Sequence, residues 1–204
     1  MVKILKDYLL HDIIFVNNRS VFEEAFYMKD FLELCTTRQS CRNFADKPVE
    51  HEKLLKCVEA ARLTPSACNS QPWEFIVVED PEIVPEIAKC TQNLGINEYI
   101  SGAKAFFIVL EKHAVLMPVI RKIIDSQYFA KGDLGAATVY LTLAAEAQGL
   151  GTCINGIFNR EKICELVGLP KEQQIFMVIA VGYAADKDVR PKLRKPLEDI
   201  VRFV

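Results

Sequence analysis

The apolar positions of this chain change spacing several times, and each change marks an element. Met28, Phe31, Leu32 and Cys35 recur at helical spacing and form one apolar stripe. Between Glu50 and Arg62, the set Leu54, Leu55, Val58 and Ala61 fits the face of a second helix, with Glu50 as its cap and Val49 placed to staple against Leu54. Phe75 to Val78 is short, apolar and β-branched at its end, which predicts a buried strand closing at Glu79, Asp80 and Pro81. Pro81 suits the first turn of a helix running toward Asn93. Ala105 to Leu110 reads as a second buried strand. Residues 112–131 are poorly patterned; Met117, Pro118, Val119, Ile120, Tyr128 and Phe129 either line a pocket or simply pack.

Asp133 to Gln148 carries the strongest helix pattern, with Asp133 as cap, Gly149 as stop and Glu146 as the only charge inside. A helix apolar nearly all round is central to the core or part of a dimer interface. Gly149, Gly151 and Gly156 punctuate a strand. Asn159 caps a short helix to about Val167, which Gly168 and Pro170 end. Ile175 to Val181 suits a central strand. No internal repeat appears. Helices first, then strands interleaved with helices, predict an α+β chain with α/β-like character and a central sheet of about four or five strands flanked by helices.

Residues 1–27 mix short apolar pieces with a turn-like centre at Asn17, Asn18 and Arg19, and read as an N-terminal extension of unknown role; 28–204 reads as a single domain. A net charge of −2 gives no basic field, so nucleic acid is not an expected partner. Seven cysteines without a CxxC pair, scattered through core-like segments, point to a reducing cytoplasm instead of a disulfide framework. Three scattered histidines offer no metal constellation. No apolar run reaches the roughly 18 residues of a membrane span. A mean hydropathy of +0.12 leaves room for a buried subunit interface.

Candidate chemistry centres on the loop from Thr64 to Trp73. Pro65 and Pro72 exclude helix here, and Ser66, Asn69, Ser70 and Gln71 between them form an array of hydroxyls and amides. Taken alone it is a polar helix-to-strand connector or a site for a planar, hydrogen-bonding ligand. Arg38 to Phe44, with two arginines four apart, is on local grounds a solvated turn. The glycines have the wrong context for GxGxxG, and there is no P-loop, GxSxG or HExxH. Conventional catalytic side chains are scarce, so an enzyme built this way would leave its chemistry to a cofactor.

Arg38-Gln39-Ser40-Cys41-Arg42-Asn43-Phe44, then Ala60 through Phe75, resemble the opening signature of the nitroreductase family of FMN-dependent flavoproteins. Gly149 to Cys153 resembles its glycine-rich strand, and Arg194 to Val201 its C-terminal motif; the likeness spans about residues 28–204. The resemblance implies a homodimer with FMN at the interface. Arg38, Lys192 and Arg194 match phosphate-binding positions, and Ser40 a position beside the phosphate end. Arg42 matches the cation near flavin N1 and O2, which favours the reduced state. Asn69 matches the amide at the pyrimidine edge, and Pro65 with Ser66 the wall from the partner subunit; Gln39 and Gln71 count as cofactor-binding through the same motifs. Ile154, Asn155 and Gly156 match the strand passing N5, where hydride enters and leaves, so no catalytic side chain is expected. Val139 and Tyr140 depart from a Gln, Asn pair common in relatives. The implied function is transfer of electrons from NAD(P)H to a small-molecule acceptor, a nitroaromatic, quinone or flavin, by a ping-pong mechanism. The alternatives are a flavin-binding protein without fast turnover and a flavin-fragmenting or dehalogenating relative, which a structured lid over 112–131 would favour.

Overall fold

Two long apolar strands set the architecture. β1 (Trp73–Val78), β2 (Ala105–Glu111), β3 (Gly151–Asn155) and β4 (Ile175–Gly182) form one sheet in the order β1-β2-β4-β3, with every neighbouring pair antiparallel. The structure is a computed structural model and describes residues 31–92, 96–186 and 188–204. The expected extension over 1–27, Met28 and Asn93 lie outside these residues.

The helices are α1 (Phe31–Thr37), α2 (His51–Arg62), α3 (Val84–Thr91), α4 (Pro118–Arg121), α5 (Ser126–Ala147) and α6 (Arg160–Leu166). Along β2 the side chains alternate between two cores, as a pleated strand requires. Phe106, Ile108 and Leu110 pack with Ile87 of α3 and Ile163 of α6. Phe107 and Val109 pack on the opposite face with Leu54 of α2 and Leu141 of α5. The sheet is therefore covered on both faces, which is why its central strands are continuous apolar runs.

Two boundaries differ from the sequence reading. α5 starts at Ser126, and its cap is Asp125, whose carboxylate accepts the Gln127 N–H at 2.9 Å. Asp133, expected as the cap, lies inside the helix. The polar residues and Gly132 in the first turns break the apolar period there, although Ala130 already faces the core. Nor is α5 buried all round, since Val139 and Tyr140 are 49% and 43% exposed. Pro81 sits in a turn closed by Asp80, which accepts from Glu82, Ile83 and Val84 N–H groups, and Pro85 takes the first turn of α3. Asn159 caps α6 as expected, accepting the Lys162 N–H at 3.1 Å. Glu50 occupies the cap position of α2, but its carboxylate makes no cap bond and accepts the Tyr183 hydroxyl at 2.6 Å.

Two glycines decide how the chain approaches the sheet edge. Gly151 and Gly182 face each other across β3 and β4. A Cβ on Gly151 would lie 2.8 Å from Cys41 Cβ and Sγ, and one on Gly182 would lie 2.8 Å from the Phe44 ring. The glycine pair makes the flat patch on which residues 41–44 rest.

Candidate functional site

Residues 38–45 are laid along this patch by backbone pairing. Ser40 bridges Thr152 in parallel sense, the Cys41 N–H donates to Thr152 O at 2.8 Å, and the Ala45 N–H to Tyr183 O at 2.8 Å. Cys41 and Phe44 are buried, which turns Arg42 and Asn43 outward. Burial pushes the Cys41 thiol above its ordinary pKa, so it packs as a neutral group. The Arg42 guanidinium lies 5.6 Å from the centre of the Tyr99 ring, within cation–π range.

The C-terminal tail lies against the same residues. Gln39 donates to Asp188 O at 2.9 Å and accepts from Arg190 N and Nε at 3.1 and 3.0 Å. Arg190 also donates to Ser40 O, and Lys192 Nζ to Arg38 O. Arg38, Lys192 and Arg194 are thus gathered in one place. Partial removal from water, and then the charges of Arg38 and Arg194, hold the Lys192 ammonium below its ordinary pKa, with Glu146 acting in the opposite sense. A cluster of mutually repelling cations fits an anion with several oxygens, which a phosphate supplies.

The loop after α2 is backbone-strained. Cys68, Asn69 and Gln71 have φ of 53°, 51° and 48°, a left-handed conformation that costs roughly 1–2 kcal/mol per residue. Several hydrogen bonds hold it. Ala67 N–H donates to the Asp133 carboxylate at 3.1 Å, Gln71 N–H to Ser66 Oγ at 2.9 Å, and the Gln71 amide to Asn69 O and Oδ1, both at 3.3 Å. Ser70 Oγ accepts the Val115 N–H at 2.6 Å, joining the loop to the segment before α4. At its start, the buried Thr64 hydroxyl lacks a hydrogen-bond partner.

β3 carries the third group. Asn155 is buried and its amide donates to Cys153 O at 2.9 Å and Val178 O at 3.1 Å, so this side chain is spent on the sheet. Gly156 is exposed, and a Cβ there would meet nothing nearer than Met177 Sδ at 3.6 Å. The chain itself does not demand glycine at this position. Among the described residues no group of three or more His, Cys, Asp or Glu could hold a metal ion.

A model of the nitroreductase family matches residues 35–183, which include the arginine segment, the strained loop and β3. The chain belongs to the nitroreductase family. A protein of Archaeoglobus fulgidus named for NADH dehydrogenase and NAD(P)H nitroreductase is 32% identical over 164 residues, covering 78% of this chain and 88% of its own. Human iodotyrosine deiodinase 1 is 25% identical over 199 residues, covering 85% of this chain and 68% of its own. The crystal structure of an Exiguobacterium sibiricum protein of nitroreductase type in complex with FMN shares the fold, with a TM-score of 0.72 at 24% identity over 86% of this chain and 98% of that one.

The structure therefore brings Arg38, Gln39, Ser40, Lys192 and Arg194 together, sets Ser66, Asn69 and Gln71 in one bonded loop with Pro65 exposed beside it, and leaves Ile154, Asn155 and Gly156 at the end of β3. Sequence reasoning missed Asp133 as the loop's anchor and Tyr99 behind Arg42. It also missed Arg190 as a tail contact, although Arg190, Lys192, Arg194 and Lys195 make a basic run in the sequence.

Proposed function

We propose that this chain is an FMN-dependent oxidoreductase that takes electrons from NAD(P)H and gives them to a small flat acceptor, a nitroaromatic, a quinone or a free flavin. The observation that carries this reading is the Arg38, Lys192 and Arg194 cluster in a chain of this family. When bound, FMN supplies hydride chemistry at N5, which the side chains here do not provide. The cations hold the phosphate. Arg42, backed by the Tyr99 ring, keeps a positive charge by the pyrimidine end of the site, where charge of opposite sign is favoured. Asn69, its amide bonded by Gln71, would hydrogen-bond the ring edge, and Gly156 would offer backbone and no side chain toward N5.

Exposed Phe31, Leu32, Val139 and Tyr140 support a homodimer in which a second copy covers these faces and supplies Pro65 and Ser66 to the site. All seven cysteines are free thiols, which suits work in the cytoplasm. Among the described residues no helix is long and apolar enough to cross a membrane.

With one site serving donor and acceptor in turn, double-reciprocal plots of rate against NAD(P)H at several acceptor concentrations run parallel; intersecting lines would contradict the shared site. A dehalogenating function is favoured by a different observation. The segment after β2 forms α4, exposes Met117, Val119, Ile123 and Tyr128, and is tied to the strained loop through Ser70. Halide release from a halogenated tyrosine under reducing conditions selects that reading, and its absence alongside quinone turnover selects the first.

A further inference from the structure

Burial does not hold the C-terminal tail in place. Leu193 is 90% exposed and Phe203 92%, and among the described residues the tail packs no large side chain into the core. Hydrogen bonds to residues 38–43 hold it instead. Gln39 uses both ends of its amide, donating to Asp188 O and accepting twice from Arg190. Arg190 reaches Ser40 O, the Asn43 amide donates to Asp186 Oδ2 at 2.9 Å, and the Ala185 N–H to Asn43 O at 3.0 Å. These contacts bring Arg190, Lys192 and Arg194 up to Arg38 against their mutual repulsion.

We infer that Gln39 is a positioning residue that straps the tail through Arg190, delivering Lys192 and Arg194 to the phosphate site, so that tail docking and phosphate binding are linked. This rests on the flavin reading above, and it moves Gln39 from contact with the cofactor to control of the residues that make that contact. Three of the amide's four hydrogen-bonding positions go to the tail, so its influence passes mainly through the cations. An anion that neutralises the cluster favours the docked tail, and a docked tail presents the cations to the anion; the linkage is reciprocal.

The test compares wild type with Gln39→Ala and Arg190→Leu, using FMN and riboflavin as probes. Both substitutions are on partly or fully exposed side chains, and circular dichroism verifies the fold. FMN affinity is expected to fall roughly tenfold in each variant, consistent with loss of one or two modest hydrogen bonds to charged groups. Riboflavin, which has no phosphate, is expected to bind all three proteins alike. Trypsin reports the tail directly, because it cleaves after Lys192 and Arg194 while Pro191 and Pro196 protect Arg190 and Lys195. FMN is expected to slow this cleavage in wild type, riboflavin to leave it unchanged, and both variants to be cut faster with or without FMN. Unchanged FMN-to-riboflavin ratios and unchanged tail cleavage in the variants would overturn the strap while leaving the flavin reading intact. A wild type that binds neither probe would overturn both.

Discussion

Each cation of the site has a distinct setting, and each setting predicts a distinct loss. Arg38 closes α1 and lies in the cluster with Lys192 and Arg194, so Arg38→Ala is expected to remove the proposed charge-assisted phosphate contact, about 1.5–3 kcal/mol, and to weaken FMN binding roughly 10- to 100-fold. Arg42 stands apart from that cluster against Tyr99. Arg42→Ala is expected to lower the two-electron potential of the bound flavin by roughly 30–60 mV, with a smaller effect on retention. Titration of both variants against redox dyes, beside equilibrium dialysis of the cofactor, separates the two roles; equal changes in both quantities would remove the distinction.

At the scale of elements, how much the sequence revealed depended on whether a local pattern encoded the feature. The strands, α2 and α6 were legible because periodicity and caps such as Asn159 sit within a few residues of what they control. The start of α5 was not, because its first turns are polar and its cap, Asp125, precedes the apolar period. The strained loop was visible as a loop from its prolines. Its left-handed residues are Cys68, Asn69 and Gln71 and include no glycine, and the carboxylate that holds it is Asp133, far along the chain. Gly182 gave no signal at all; its meaning appears only once Gly151 is opposite it and Phe44 lies on top.

Two substitutions test this framework. Gly151→Ala drives a methyl into Cys41 and is expected to destabilise by about 1–3 kcal/mol, read as a lower denaturation midpoint. Asp133→Ala leaves the Ala67 N–H without its acceptor and the strained loop without its anchor, so it is expected to weaken binding of FMN and of riboflavin alike. That pattern is opposite to the phosphate-selective loss at Arg38. A Gly151→Ala protein as stable as wild type would refute the close approach, and intact riboflavin binding in Asp133→Ala would refute the anchor.

The whole molecule couples its core to pH through buried thiols. Cys57, with no exposed surface, has its pKa pushed up to about 12 by burial, against an ordinary value of 9.0. Above pH 9 the unfolded chain releases this proton while the folded chain keeps it, so the stabilisation is complete below that pH and is lost as pH rises toward about 12. Urea midpoints are expected to fall across this alkaline range, and Cys57→Ala, less stable at neutral pH from its cavity, is expected to show a shallower fall. Parallel pH dependences in the two proteins would show that Cys57 contributes nothing to it.

We propose that the cation cluster and the strained loop together hold FMN. The visible absorption spectrum of the freshly purified protein, repeated on the filtrate after denaturation, tests this most directly. The two visible bands of an oxidised flavin are expected on the folded protein, and FMN, recognised by its phosphate, in the filtrate. A colourless protein that also takes up no added FMN would contradict it.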